Sequence, residues 1–309
     1  FLGKQFYKDI LQILYYLKKI SSRRNRGHHS NKNKVNVGDK GREILESINE
    51  NNLVIQQFRV YSNELDTKHD KFEKLVKLSR DVTIESKRII FLLHTLDKES
   101  KRDSVLGEAK QRFENMGKTL FKSIASELDG QDIYQYLKAY KFGLEEYVEA
   151  VTFFQYLQSG SMQDWMELEK SLVYTDPDKS DSTSEDCELP TKMTRIVITP
   201  NEYIMGIADL TGELMRKCIN NLATGDIASC YQTCNFVRNM HKGFLGCTST
   251  FNKDMSKKIY TLKQSLTKME NVCYTIKVRG SEIPKHMLAD VAIGATEDYM
   301  GDEDEGYQV

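Results

Sequence analysis

Hydrophobic positions recur at helical spacing along most of this chain. Between about Asn52 and Lys98, Phe58, Leu65, Phe72 and Leu93 fall on one seven-residue series, and Tyr61, Leu75, Val82, Ile89 and Leu96 form a second, three residues on. Such spacing keeps both series on one side of an α-helix, so it predicts a long helix with a seam for a bundle or a partner helix. Further helices are expected from about Ser104 to Leu128, closed by Asp129-Gly130, and from near Gln131 to Gln158, broken at Gly160-Ser161. SMQDWMELEKSLVY reads as a shorter one. Thr199-Pro200 supplies an N-cap and first turn for a helix to about Leu222, which ends at Thr224-Gly225-Asp226. Helices over about Ile227–Lys242 and Asn252–Lys277 follow, then a short one around Pro284–Val291. Arg195–Ile198 has strand propensity, but one isolated strand makes no sheet, so it is read as an extended lead-in. The pattern predicts an all-α bundle of roughly six to eight helices.

Composition supports this. The 309 residues are 39% hydrophobic, enough for a large core. None of the four prolines (Pro177, Pro190, Pro200, Pro284) precedes Asp176, so the first half lacks the strongest helix breaker. The organisation expected is a flexible basic extension over 1–51, a helical domain over 52–292 with a disordered acidic insertion at 176–194, and an acidic tail over 293–309. The opening FLGKQFYKDILQILYYLKKI is interrupted by lysines, a poor membrane span without a secretory cleavage site, and no membrane association is expected. It fits an amphipathic arm, a targeting segment or a non-native extension. SRRNRGHHSNKNK fits a nuclear localisation signal or a solvated linker.

Net charge is -1, but the acids concentrate in Asp176–Glu188 and Glu297–Glu305. Without them the body is basic, which keeps RNA or DNA as a permitted partner. Lys68, Lys71, Lys74, Lys77, Arg80, Lys87 and Arg88 line the first helix, either as a solvated face or as phosphate contacts. The six cysteines lack zinc-site pairs and disulfide-scaffold density, which fits a reducing compartment. Cys230 and Cys234, one turn apart, fit ordinary semi-buried thiols better than a metal pair.

The candidate chemistry lies in two segments. In GLEEYVEAV, residues 143 to 151, Leu144, Tyr147, Val148 and Val151 share one side of a helix, while Phe142, Glu146, Glu149 and Phe153 share the other. Acids on a helix that is apolar nearly all round need compensation. In GIADLTGELMRKC, Asp209 and Glu213 stand one turn apart, among Gly206, Ala208 and Gly212, small residues that permit close packing. If the two helices face each other, four carboxylates converge, and oxygen-only ligands suit Mg²⁺ or Mn²⁺. Di-iron is disfavoured because there is no Glu-x-x-His motif; His69, His94, His241 and His286 read singly as surface or core histidines. A hard cation held there would serve phosphodiester hydrolysis, with Arg216 near the phosphate. The same acids would equally serve salt bridges across the bundle.

HDKFEKLVKLSRDVTIESKR, GLEEYVEAV, ADLTGELM, KKIYTLKQSL and KVRGSEIPKHMLADV together closely resemble the translin family, from about Phe58 to Val291. The resemblance implies a seven-helix translin-type bundle that joins translin subunits in a closed hetero-oligomeric barrel, expected to be an octamer. It also implies a Mg²⁺-dependent endoribonuclease on single-stranded RNA, including passenger strands during activation of the RNA-silencing complex, in the cytoplasm and nucleus. Single-stranded DNA is a further expected ligand. Carried over by motif, Glu146, Glu149 and Asp209 are the catalytic metal ligands, and Glu213 is a fourth ligand or water-orienting group. Glu145 is read as turned toward the helix flank. Lys77, Arg80, Lys87 and Arg216 are the expected RNA contacts. A subunit that only scaffolds translin is the rival reading.

Overall fold

Asn52 opens the first helix, its Oδ1 accepting from the backbone N–H of Val54 at 2.9 Å. Helix α1 then runs unbroken over Leu53–His94 in the computed structural model. The structure describes residue 41 and residues 47–96, 99–175, 193–247 and 253–280, with single positions at 282 and 287. The N-terminal arm, most of the acidic insertion, the acidic tail and nearly all of the expected Pro284–Val291 helix lie outside the described residues.

Helix α2 runs over Arg102–Met116, passes through a π-helical turn at Gly117–Phe121 and finishes as Lys122–Leu128. Helix α3 spans Ile133–Ser159 and α4 Trp165–Lys170; α5 covers Pro200–Thr224, α6 Ile227–Gly246 and α7 Lys253–Arg279. Counting α2 as one element gives seven helices among the described residues, in agreement with the all-α translin-type expectation. The boundaries follow local chemistry. Asp132, Asp164 and Asp226 cap α3, α4 and α6 by accepting from the N–H groups of Tyr134, Met166 and Ser229. Gly160 and Gly225 close α3 and α5 with φ of 71° and 81°, a left-handed conformation that favours glycine. Thr199 behaves otherwise than expected: its hydroxyl donates to the buried Glu202 carboxylate rather than capping a backbone N–H.

The absence of any sheet is corrected. Val173–Thr175 (β1) pairs antiparallel with Met193–Arg195 (β2), Tyr174 opposite Thr194, on either side of the acidic insertion. The strands are three residues each, too short to show a period in sequence, and their pairing depends on a contact between distant segments. Just beyond β2, Ile196 and Ile198 are fully buried, so the apolar part of the supposed lead-in is core.

Two compact units divide between Ser62 and Asn63. In the first, Arg59 pairs with Glu50 at 2.7 Å, and Leu53, Phe58, Val60 and Tyr61 are exposed. In the second, Leu75, Val82, Ile89 and Leu93 of the α1 seam are buried, whereas Leu65 is exposed. Each of these aliphatic side chains contributes about 1.5–3 kcal/mol by leaving water. Helix α3 packs mainly on α5, which also meets α6 and α7. Glycines set two close approaches: a Cβ on Gly143 would lie 2.6 Å from Ser79 Oγ on α1, and one on Gly206 of α5 would lie 2.7 Å from the Glu145 carbonyl oxygen on α3.

Candidate functional site

The Gly206 contact brings the two acidic segments together. Because α5 can approach the α3 backbone at Gly206, the next turns of α5 carry Asp209 and Glu213 alongside Glu146 and Glu149 of α3. The four carboxylates line one cavity of about 670 Å³, together with Lys87, Phe91 and His94 of α1, Arg216 of α5, and Lys257 and Lys258 of α7. Gly212 plays no packing part, since a Cβ there would meet nothing within 4 Å; it lines the cavity instead.

Each acid has a different environment. Glu149 is 8% exposed, and its carboxyl is pushed up to about 8, first by burial and then by the charges of Asp209, Glu146 and Glu213. Glu146 is half-buried and sits 3.2 Å from Lys87 Nζ. Asp209 Oδ2 accepts from Lys258 Nζ at 2.6 Å. Glu213 Oε2 lies 2.5 Å from His94 Nε2 and 3.2 Å from Arg216 Nη1. Burial would raise the Glu213 pKa, but His94, with Arg216 and Lys87 adding to it, holds it below the ordinary value.

Several expectations are adjusted. Phe142, placed by its spacing on the acidic side of α3, is 62% exposed, with Lys141 Nζ over its ring at 4.7 Å. Glu145 is not at an open flank: it is 5% exposed and accepts from Lys258 at 2.9 Å. His94, read as an isolated histidine, is at the site, packed on Phe153 with ring centroids 4.9 Å apart. Its Nδ1 is buried without a hydrogen-bond partner among the described residues. Lys77 and Arg80 are exposed on α1 and lie outside the cavity lining, whereas Lys87 and Arg216 are part of it.

Lys258 and His94 were missed for a common reason: each is a polar residue on a mostly buried stripe, and only the facing helix shows what it meets. The signal for His94 was its position one turn after the buried Ile90. For Lys258 it was the doubled lysine at the head of KKIYTLKQSL, next to an apolar run.

The translin family model matches residues 70–280, a stretch that contains every residue of this cavity. The chain belongs to the translin family. It is 44% identical over 265 residues to translin-associated protein X of Pongo abelii, covering 84% of this chain and 90% of the relative. It is 30% identical to the translin-associated protein X homolog of Schizosaccharomyces pombe, covering 74% of this chain and 90% of that one. The crystal structure of apo-NeC3PO shares the fold at a TM-score of 0.51 and 19% identity, over 72% of this chain and 96% of that one.

Among the described residues, no three histidine, cysteine, aspartate or glutamate side chains are gathered as a ready metal-binding group. Helices α3 and α5 bring four acids to one cavity, with Asp209 held by Lys258 and Glu213 by Arg216. The donor set still suits a hard cation. Glu149 is buried among three other acids, a concentration of negative charge that an ion would relieve.

Proposed function

We propose that this chain is the catalytic subunit of a complex with translin, a Mg²⁺-dependent endoribonuclease that cleaves single-stranded RNA, with Mn²⁺ as a substitute. The observation that carries this reading is Glu149, buried on the wall of an open cavity among Glu146, Asp209 and Glu213. A bundle stabilised only by packing would gain by replacing such a group with an apolar one. The partnership rests on similarity to proteins named for their association with translin. Passenger-strand removal in RNA silencing is the cellular role proposed, and an octameric barrel, binding of single-stranded DNA, and cytoplasmic and nuclear residence belong to the same proposal.

Glu146, Glu149 and Asp209 would hold the ion, which when bound polarises water and offsets charge on the phosphoryl group. The chain's own side chains do the rest. Arg216, 62% exposed at the rim, offers guanidinium donors to phosphate oxygens. Glu213, fixed through Oε2 by His94 and Arg216, leaves Oε1 to accept from a water and orient it. Lys87, beside Glu146 at the cavity edge, adds positive charge for an incoming backbone.

One observation favours a scaffolding role: Asp209 and Glu213 are already in ion pairs, with Lys258 and Arg216. A single comparison separates the readings. The complex copurified with translin is given labelled single-stranded RNA and Mg²⁺, with the native chain or Glu149→Gln at matched assembly. The nuclease reading expects cleavage to fall about a hundredfold or more, some 2.7 kcal/mol of barrier, and to stop in EDTA. Equal cleavage by both places the chemistry outside this chain and leaves it a scaffold.

A further inference from the structure

Lys258 occupies an unusual place for a lysine. Helix α7 delivers it to the junction of α3 and α5, where its side chain is 20% exposed. Its Nζ donates to Asp209 Oδ2 at 2.6 Å, to Glu145 Oε2 at 2.9 Å and to the Met205 carbonyl oxygen at 3.2 Å. An ammonium has three N–H donors, and all three are engaged, so the group is fixed in direction as well as in place.

Two of these partners stand apart from the proposed cation ligands. Glu145 and the Met205 carbonyl form a seat that keeps the ammonium at the cavity wall whatever Asp209 does. Asp209 is the third partner, and its carboxylate also belongs to the set that would hold the ion. An ammonium and a divalent cation at one carboxylate repel each other, and in a half-buried cavity that repulsion is several times stronger than in water. This seat also accounts for the burial of Glu145, which no ligand role requires.

Resting on the metal-dependent reading above, we propose that Lys258 is a positioning residue that holds Asp209 in competition with the divalent cation and yields it, while remaining seated on Glu145, when the ion enters. Lys258 thereby sets the metal concentration at which the site assembles.

The test measures Mn²⁺ binding to the complex copurified with translin, by electron paramagnetic resonance of the free ion. Lys258→Met, which keeps the stem and loses the charge, is expected to bind Mn²⁺ about tenfold more tightly than native, and Lys258→Arg to stay within about threefold. The Mg²⁺ concentration for half-maximal RNA cleavage should fall in parallel for Lys258→Met. A purely structural lysine predicts the opposite, binding unchanged or weaker in Lys258→Met, and that result overturns the proposal. If Lys258→Met prevents assembly, Lys258→Gln takes its place: tighter binding supports the proposal, and unchanged or weaker binding overturns it. A native complex that binds no Mn²⁺ and cleaves RNA in EDTA overturns the metal-dependent reading together with this inference. Native binding with no gain in the variant overturns the inference alone.

Discussion

Helix α5 contributes to two buried clusters of polar side chains that differ in one respect. Toward its C-terminal end, Cys218 lies with Cys230, Cys234 and Cys273 among α5, α6 and α7, all four buried and reduced. Cys230 Sγ donates to the Cys218 carbonyl oxygen at 3.2 Å and Cys218 Sγ to the Cys230 carbonyl oxygen at 3.8 Å. Mutual thiol hydrogen bonds and burial push Cys218 and Cys273 well above the ordinary thiol range, so they remain neutral. About one and a half to two and a half turns earlier, Glu213 and Asp209 enter a cavity shared with Glu146 and Glu149, where burial makes Glu149 hold its proton. Burial of polar atoms is common to both. The second alone gathers carboxylates, three of them paired with Lys87, Lys258 and Arg216 and the fourth pushed by burial to hold its proton, and it is such charge, not burial, that marks a site worth testing for chemistry.

The largest effect that would break this comparison is the pH dependence of stability. Glu149 has a folded pKa of about 8 against an ordinary 4.5, so the folded state holds its proton across that range. Stability therefore falls as pH rises from about 4.5, and the whole penalty is present above about 8. Without divalent ions, Glu149→Gln is expected to stabilise the complex by roughly 2–4 kcal/mol at alkaline pH and by little near the ordinary carboxyl value. Thermal melts across that range check it, and parallel profiles for native and variant would place Glu149 in a solvated setting.

A smaller effect is expected at the contact that builds the cavity. An alanine Cβ at Gly206 would lie 2.7 Å from the Glu145 carbonyl oxygen and from Val148 Cβ, positions that α3 cannot easily vacate. The alanine gains up to about 1 kcal/mol of helix propensity, but overpacking costs about 1–3 kcal/mol. Gly206→Ala should lower the melting temperature and separate the acids, with RNA cleavage lost while the complex still forms. Full cleavage in a well-folded Gly206→Ala complex would show that the acids need no such close approach.

The smallest effect sharpens the contrast from the other side. Cys218→Ala removes one sulfur from the thiol cluster and should cost about 1 kcal/mol, with cleavage and Mg²⁺ dependence unchanged. Chemical denaturation and the RNA assay read the two halves of that expectation. Loss of cleavage at native stability would join the thiols to the site.

Much of this architecture was legible from the residue pattern. The helix-forming segments and the glycine stops are written in short-range chemistry, and the α1 seam from Leu75 to Leu93 is buried as its seven-residue spacing demands. That Glu146 and Glu149 would meet Asp209 and Glu213 if their two helices faced each other was also readable, and the helices do bring all four to one cavity. The exposure of Phe142 was not. Angular position on a helix says which residues share a face, but not how far the neighbouring helix extends over that face. The β1–β2 pairing escaped for the same reason, since a strand of three residues is defined by its partner.

By itself, then, the sequence determined which segments are helical, where they stop, and that acids on two largely apolar helices required compensating neighbours, because these follow from backbone propensity and the cost of burying charge. Only the tertiary structure decided which neighbour each acid received: Lys258 for Asp209 and Glu145, His94 and Arg216 for Glu213, Lys87 for Glu146. Those partners come from helices distant in the chain, and an ion pair is set by approach over a few ångströms, which local residue order does not encode.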